Sequence, residues 1–389
     1  MTIMIREEFK DDMLARGFSR RQMMRAAMMA GGAAATAFAF APELAAAQEE
    51  ESVKVRISSN ECWTGPMPVG LAAFVKTAPT SNRYSPNDER GKLIKAIAQI
   101  ENVPEDHIMP WPGSNEALVR SIFAFCSPTK SLVQADPSYE TMGRAAKFLN
   151  VPIKNVALTA DYRHDVKAMS GADTNAGVLY VVNPNNPTGT MTPTSEIEWL
   201  VDNKPAGSIV VIDEAYIHFS NGYPNNITSH LAAAGKDVLV NRTFSKIFGM
   251  AGARVGYVMG RPDLLAKLRL YDGGYLSNML PVASVACATA SLGDKATMMQ
   301  RRKTLNDNRA MTVDFLTKHN FKVIGASEAN MIMVDWKTKS AKDMQAAFRA
   351  QGVGIGRSWP TWPNVSRITI GSKQDMEGFF AAFNKVVSA

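Results

Sequence analysis

The sequence predicts an α/β protein, in which a large domain with a mostly parallel sheet precedes a smaller α+β domain. Short β-branched runs recur at intervals of roughly 30 residues, which suits strands joined by crossover helices. Polar clusters follow these runs directly, as expected at the ligand-binding edge of a parallel sheet. Beyond about residue 290 the pattern changes to a long charged helix and scattered short strands.

The first 47 residues have the order of segments that is typical of a signal peptide. Arg20 and Arg21 precede an uncharged run at 26–41, and small residues at 45–47 offer a cleavage site. Paired arginines favour the twin-arginine route, and the run is shorter than the roughly 20 residues that span a bilayer. We expect cleavage near Ala47, a periplasmic product, the export machinery as a partner and no stable membrane anchor. An N-terminal anchor or a chance Ala-rich helix is the alternative.

Charge and ligand patterns narrow the function classes. The formal net charge of +7 is mild for 389 residues and no Lys/Arg block forms, so no nucleic-acid partner is expected. The three cysteines are widely spaced and the five histidines are scattered, without the spacing of metal ligands. We therefore expect no metal, and we interpret the cysteines as buried small apolar residues.

The large domain is predicted over residues 86–290, after an irregular N-terminal arm or lead-in over 48–85 that is rich in turn formers. Apolar residues take helical spacing from about residue 88, and Ser114 with Asn115 opens a second helix. Buried parallel strands are predicted as short apolar runs, since helices would cover both of their faces. These runs are 131–134, 177–182, 208–212 and 238–241.

The smaller α+β domain is predicted over residues 291–389. Its first element is a long charged helix at 295–318. Strands are predicted at 321–323, 331–334 and 367–370, with a helix at 342–350 and another at the C-terminus.

Four polar clusters stand out, each at the end of a predicted strand. Each alone is commonplace, as a turn, a helix cap, a solvated lysine or a surface arginine. Their joint occurrence in this order is much harder to obtain by chance. The clusters are Asn-Pro-Asn-Asn-Pro-Thr-Gly at 183–189, Asp-Glu-Ala-Tyr at 213–216, Thr-Phe-Ser-Lys at 243–246 with Gly-Ala-Arg-Val-Gly-Tyr at 252–257, and Ser-Arg-Ile-Thr-Ile-Gly at 366–371.

Together these motifs resemble those of fold-type I, class I/II pyridoxal-phosphate-dependent aminotransferases, most closely the histidinol-phosphate aminotransferase-like branch. The most specific run is Ser-Lys-Ile-Phe-Gly-Met-Ala-Gly-Ala-Arg-Val-Gly at 245–256. The resemblance implies the PLP-transferase fold, with a seven-stranded sheet in a cofactor-binding large domain. It also implies transfer of an amino group between an amino acid, or a related amine, and a 2-oxo acid through a Schiff base at Lys246.

The resemblance assigns cofactor roles to residues at the motif positions. Lys246 would also move the substrate proton, and Asp213 would keep the cofactor ring nitrogen protonated. Asn186 and Tyr216 would hydrogen-bond the phenolic oxygen of the ring. The implied phosphate ligands are Ser114, Asn115, Thr243, Ser245 and Arg254, the first two at a helix N-terminus.

Further roles concern the ring face, the substrate and a second subunit. Tyr139 would stack on the ring, and Tyr84 would reach the phosphate from the neighbouring subunit, which implies a homodimer with shared active sites. Core packing is the alternative for both tyrosines. Arg367 would clamp the substrate α-carboxylate, Arg357 a substrate phosphate, and Asn60 belongs to a segment that closes over the substrate.

Two segments differ from the family pattern near the substrate pocket. Asn-Glu-Cys-Trp-Thr-Gly-Pro at 60–66 stands where the family has Asn-Glu-Asn-Pro-Tyr-Gly-Pro, and Asp-Gly-Gly-Tyr at 272–275 replaces an aromatic-proline pair. Donor, acceptor and pathway therefore stay open. Decarboxylation, lyase chemistry or amine oxidation on the same cofactor is the main alternative. A non-catalytic protein that binds the cofactor or an amino acid is less expected, because binding alone needs no Lys246.

Overall fold

The computed structural model describes residues 7–30, 53–270 and 273–387. Its helices are α1 (Glu7–Ala15), α2 (Arg20–Ala30), α3 (Pro68–Thr77), α4 (Glu89–Glu101), α5 (Asn115–Phe125), α6 (Thr141–Phe148), α7 (Val166–Gly171), α8 (Thr194–Asn203), α9 (Ser229–Ala233), α10 (Pro262–Leu268), α11 (Tyr275–Asn278), α12 (Val282–Gly293), α13 (Lys295–Lys318), α14 (Ala341–Ala350) and α15 (Lys373–Val387). The strands are β1 (Val55–Ile57), β2 (Ile108–Trp111), β3 (Ser131–Asp136), β4 (Ile153–Ala157), β5 (Ala176–Val182), β6 (Ile209–Asp213), β7 (Val238–Thr243), β8 (Gly256–Met259), β9 (Lys322–Ile324), β10 (Met331–Asp335), β11 (Val353–Ile355) and β12 (Val365–Thr369).

A seven-stranded sheet organises the large domain, in the order β2-β8-β7-β6-β5-β3-β4. The five strands β3 to β7 run parallel, whereas β8 is antiparallel to both β7 and β2. The predicted mostly parallel seven-stranded sheet is confirmed. The four apolar runs that predicted parallel strands are β3, β5, β6 and β7, which all lie in the middle of the sheet.

Alternate side chains of the central strands enter two separate apolar cores, one on each face of the sheet. On β5, Val178 and Tyr180 belong to one core, whereas Leu179 and Val181 belong to the other. This alternation follows from the two-residue period of a strand. Because helices cover both faces, every residue of β5 is buried, which explains why the strand is apolar throughout.

The lead-in differs from the prediction that it is irregular. It contains β1, which pairs in parallel with β11, and the ten-residue helix α3, which packs along α12. Pro68 occupies the first turn of α3, where the missing N–H costs nothing. The close approach to α12 requires glycine, since a methyl group at Gly70 would stand 2.9 Å from the Cys287 carbonyl oxygen. The turn-forming residues around 63–66 led to the prediction of an irregular segment, so the helix that follows them was not predicted.

The smaller α+β region contains a three-stranded antiparallel sheet in the order β12-β10-β9. Its long helix α13 has the predicted bounds, and the Asp294 side chain caps it by accepting from the Thr297 amide at 3.0 Å. Helix α14 begins one residue earlier than predicted, with Ser340 as its cap. β12 begins two residues earlier than predicted and ends at Thr369, so that Arg367 lies in its middle.

The segment with the twin arginines folds against the large domain. Helices α1 and α2 and the turn between them bury Phe9, Met13, Phe18 and Met23 in one of the two cores of the large domain, together with Val178 of β5 and residues of α5. The Gln22 amide donates to the Leu149 carbonyl at 2.7 Å, and Arg16 and Arg25 also donate to large-domain carbonyls. Arg20 and Arg21 are exposed. The proposed cleavage site at Ala47 lies outside the described residues.

Within the described part of the chain, none of the helices combines the length and the apolar character that a membrane span requires. Cys126 and Cys287 are buried, as expected, and burial raises the pKa of the Cys126 thiol to about 12. Cys62 is only partly buried, which corrects the expectation for this residue. It belongs to the segment at 60–66, which lies at the surface of the site described next.

Candidate active site

The carboxyl ends of β5, β6 and β7 meet at one edge of the sheet, because parallel neighbours end together. Asp213, the last residue of β6, is aligned with Val182 at the end of β5 and with Asn241 on β7. The segments with Asn186 and Lys246 follow β5 and β7 directly. Three of the four polar clusters singled out in the sequence are therefore neighbours in the structure.

Lys246 lies between the segment at 60–66 and Tyr216. Its Nζ atom donates to the Asn60 carbonyl oxygen at 3.2 Å and stands 5.2 Å from the centroid of the Tyr216 ring. The amine is half-buried. It is thus held by weak contacts at the sheet edge, beside Tyr216, and its charge lowers the pKa of Asp213.

The Tyr216 hydroxyl accepts two amide hydrogen bonds. Asn60 Nδ2 donates to it at 3.1 Å and Asn186 Nδ2 at 3.4 Å. Asn60 adopts a left-handed backbone, and its side-chain oxygen accepts from Thr369 at 3.0 Å. The segment at 60–66 is therefore hydrogen-bonded to residues of both the large and the smaller domain.

Arg367 reaches the same place from β12. One guanidinium nitrogen donates to Asn186 Oδ1 at 3.0 Å and another to the Ser58 carbonyl oxygen at 2.6 Å. A continuous hydrogen-bonded network thus joins Lys246, Asn60, Tyr216, Asn186 and Arg367. It connects an amine with a planar cation that suits a carboxylate.

A cradle for an anion forms at the N-terminus of α5. Gly113, with a φ of 84°, precedes Ser114, and a methyl group at Gly113 would stand 2.3 Å from an Arg254 guanidinium nitrogen. The backbone of Gly256 abuts the Ser114 amide, and its partner in the sheet is Thr243. Helix N-termini with nearby arginine attract phosphate through the helix dipole and free amide groups.

The hydroxyl groups predicted as phosphate ligands lie on this side of the sheet edge. Thr243 donates to Ser245 at 2.9 Å, and the Ser245 amide donates back to Thr243 at 3.1 Å. The Tyr139 hydroxyl donates to Asn115 Oδ1 at 3.0 Å. The structure thereby brings the predicted phosphate residues and Tyr139 to one end of the site.

Two predicted residues lie outside the network around Lys246. Tyr84 is 87% exposed and lines a surface groove with Met279 and Leu280, apart from the network around Lys246. Arg357 is near Arg367, but its guanidinium forms an ion pair with Glu140 at 2.6 Å. Among the described residues no group of three or more His, Cys, Asp or Glu side chains could hold a metal ion.

Comparison with known proteins gives the family. Residues 52–383 match the model of the family described as aminotransferase class I and II. A histidinol-phosphate aminotransferase from Moorella thermoacetica is 30% identical, with 88% of each chain aligned. An aromatic amino acid aminotransferase from Rhodococcus opacus is also 30% identical, over 84% of this chain and 88% of the relative.

The chain belongs to the class I and II aminotransferases. A crystal structure of histidinol-phosphate aminotransferase from Sinorhizobium meliloti, in complex with pyridoxal-5'-phosphate, has the same fold with a TM-score of 0.78. It is 23% identical, and 89% of this chain and 94% of that chain align. The aminotransferase is therefore an enzyme that depends on pyridoxal 5'-phosphate, as the sequence motifs predicted.

The residues of this aminotransferase fit the cofactor. Glycine at position 113 lets the Arg254 guanidinium approach the N-terminus of α5, so that a cation and the free amide groups of the helix lie together there. Burial raises the pKa of Asp213 to about 6, although the Ala215 amide, the Tyr180 hydroxyl and the charge of Lys246 lower it. A buried carboxylate of this kind is stabilised by a cationic N–H, such as a protonated pyridine nitrogen. Lys246 supplies the amine that would hold the cofactor aldehyde covalently.

Sequence reasoning missed several residues of the site. Tyr180 lies inside a buried strand, and its hydroxyl donates to Asp213 Oδ2 at 3.2 Å. Asn330 donates to the Asn60 carbonyl oxygen at 3.0 Å and so holds the segment at 60–66 in place. A tyrosine in an otherwise aliphatic strand, two residues before its end, was the available signal for Tyr180. For Asn330 the sequence offered none.

Proposed function

We propose that this aminotransferase moves an amino group between an α-amino acid and a 2-oxo acid. The network that joins Lys246 to Arg367 through Asn60, Tyr216 and Asn186 carries the proposal. A substrate carboxylate on Arg367 would place the adjoining α-carbon on the side of the site where Lys246 lies. An α-amino acid carries its carboxylate and its amino group on the same carbon.

The residues divide the chemistry between them. Pyridoxal phosphate, when bound, supplies an electron sink for the electron pair left by the substrate α-proton. Lys246 Nζ takes that proton and returns it, since an amine beside a cationic site is a suitable base. Asp213 would hold a proton at the ring nitrogen, and Tyr216 and Asn186 would donate toward the ring oxygen. Arg367 orients the substrate by its carboxylate.

Exchange of the amino group tests this function. The holoenzyme is mixed with single amino acids while its absorbance is recorded, and a 2-oxo acid is then added. We expect a change with the donor that the 2-oxo acid reverses, with a new amino acid as the product. Release of carbon dioxide, ammonia or hydrogen peroxide without such exchange would instead support one of the other pyridoxal-phosphate reactions.

We also propose a homodimer with shared active sites. On α3, Leu71 and Val75 stand one helical turn apart with 49% and 64% of their surfaces exposed. The groove beside them contains Tyr84 and is lined by Met279 and Leu280. An exposed apolar surface of this kind suits a subunit interface. Tyr84 would then serve the site of the partner subunit.

The change Val75→Asp is expected to weaken the dimer by about 100-fold or more, because an unpaired buried charge costs about 3 kcal/mol. Activity should fall with the dimer fraction as the protein is diluted. Sedimentation and rate measurements over a range of concentrations test this. Met299→Asp, at an exposed position of α13, is the matched control and should leave assembly unchanged. A Val75→Asp protein that stays dimeric would exclude this surface.

We further propose export by the twin-arginine route, with cleavage near Ala47 that removes the signal segment before it. Support comes from the order of segments in the sequence and from the exposure of Arg20 and Arg21, which leaves both accessible to a receptor. The route suits an enzyme that loads its cofactor before export.

Replacing both Arg20 and Arg21 with lysine is expected to abolish most of the export, because the charge is kept while the paired guanidinium groups are lost. Cell fractionation and N-terminal sequencing measure the result, with Arg25→Lys as the control. A wild-type protein that keeps its N-terminus and stays inside the cell would contradict the proposal.

A further inference from the structure

Arg357 and Arg367 bring two guanidinium groups to the same tryptophan ring. The two residues are backbone neighbours, since the Arg367 amide donates to the Arg357 carbonyl at 3.1 Å. Their guanidinium carbons stand 4.2 Å and 5.6 Å from the centroid of the same ring, that of the buried Trp359. With Arg367 assigned to the α-carboxylate, Arg357 is the neighbouring cation that the side chain of a longer substrate could reach.

Glu140 is the ion-pair partner of Arg357. Its carboxylate lies 2.6 Å from the Arg357 guanidinium, a short charge-assisted contact, and the two side chains are 33% and 43% exposed. Glu140 follows Tyr139, whose hydroxyl bonds Asn115 in the cofactor cradle.

Hydrogen bonds to two other parts of the chain hold the segment around Glu140 in place. Ser138 donates to Asn185 Oδ1 at 2.8 Å, beside Asn186, and the Trp359 indole donates to the Ser138 carbonyl at 3.3 Å. The hydrogen bonds of Ser138 therefore help to keep Glu140 beside Arg357. Its contact with Arg357 does not depend on the two charged side chains alone.

We infer that the Glu140–Arg357 pair is a specificity determinant that favours amino acids with uncharged side chains over those with a distal carboxylate or phosphate. Arg357 already shares its charge with Glu140, so an incoming anion gains little from it. The same anion meets the negative charge of Glu140, and like charges repel each other. An uncharged side chain avoids both penalties.

The inference rests on the proposed function, because it takes Arg367 as the carboxylate site. It reverses the expectation that Arg357 binds a substrate phosphate. The sequence alone supported that expectation, since it showed the arginine and not the carboxylate that faces it.

Glutamate and glutamine provide the test, since they have nearly the same shape and differ in one charge. The quantity measured is the ratio of kcat/KM for glutamate to that for glutamine. Glu140→Gln is expected to raise this ratio at least tenfold, which corresponds to about 1.4 kcal/mol. The double variant Glu140→Gln with Arg357→Gln should lose that gain, because removing both charges leaves the pair as neutral as it is in the wild type.

The control is Glu196→Gln. Glu196 pairs with Arg163 at 2.8 Å with similar exposure, on the outer surface of α8. This control should leave the ratio at its wild-type value. A ratio that does not change in Glu140→Gln would overturn the inference, and so would a gain that persists without Arg357.

A binding measurement separates failure of the inference from failure of the proposed function. Glutarate and its half-amide are titrated into each holoenzyme, and their dissociation constants are compared. Glu140→Gln should shift the preference toward glutarate at least tenfold, by the same electrostatic argument. If no amino acid reacts, the proposed function fails, whereas this binding preference still decides the role of the pair. An unchanged preference overturns it.

Discussion

Replacing Lys246 with alanine is expected to lower kcat/KM for amino-group transfer by about 10⁴-fold. The substitution removes the amine that would hold the cofactor and the base that moves the substrate proton. Two neighbours among the described residues are not positioned as substitutes: the Tyr216 hydroxyl already accepts two amide hydrogen bonds, and the Asp213 carboxyl is buried. Steady-state rates with the donor found by the amino-acid panel provide the measurement.

Lys303→Ala is the matched control for this experiment. Lys303 lies on α13, is 78% exposed and pairs with Asp307, so its loss should leave the rate unchanged. Thermal unfolding of both variants shows whether the fold is retained. Turnover by Lys246→Ala at the wild-type rate would contradict the assignment of the catalytic amine.

The second large effect is expected at Arg242, which is buried behind the active site. Its guanidinium contacts Glu214 at 2.7 Å and Glu101 at 3.1 Å, and the Tyr257 hydroxyl donates to Glu101 at 2.7 Å. Burial raises the pKa of Glu214 even though the charge of Arg242 lowers it. The group joins α4 and the ends of β6 and β7, directly beside Asp213 and Thr243.

Arg242→Met is expected to lower the free energy of unfolding by about 3–5 kcal/mol, since it leaves two buried carboxylates without their cation. Cofactor affinity should fall with it, because Asp213 and Thr243 adjoin the broken pair. Denaturant unfolding and cofactor titration measure the two effects. Arg261→Met removes a surface arginine that pairs with Asp237 and Asp263 and should cost only about 1 kcal/mol or less. Equal losses in the two variants would contradict a structural role for the buried cluster.

The central strands could be predicted from the sequence, and the outer strands could not. β5 and β6 are continuous apolar runs because both of their faces are covered. β4 lies at the sheet edge and reads Ile-Lys-Asn-Val-Ala, with only partial burial, and β2 contains a proline. Edge position relaxes the apolar pattern and tolerates proline, so neither strand has a clear local signal.

The same division holds for the active site. Asp213, Asn186 and Lys246 could be predicted because each follows a recognisable strand, and strand ends of a parallel sheet converge. The contact between Glu140 and Arg357 joins residues 217 positions apart in the chain. Such a pairing depends on how the smaller region packs on the large domain. Local sequence patterns contain no information about it.

Mapping the attachment point of the cofactor tests the central claim most directly. The holoenzyme is reduced with borohydride and digested, and its peptides are analysed by mass spectrometry. We predict one cofactor-derived label per chain, on the peptide that contains Lys246. A label on another lysine, or a protein that binds the cofactor and gains no label, would contradict the assignment of the site.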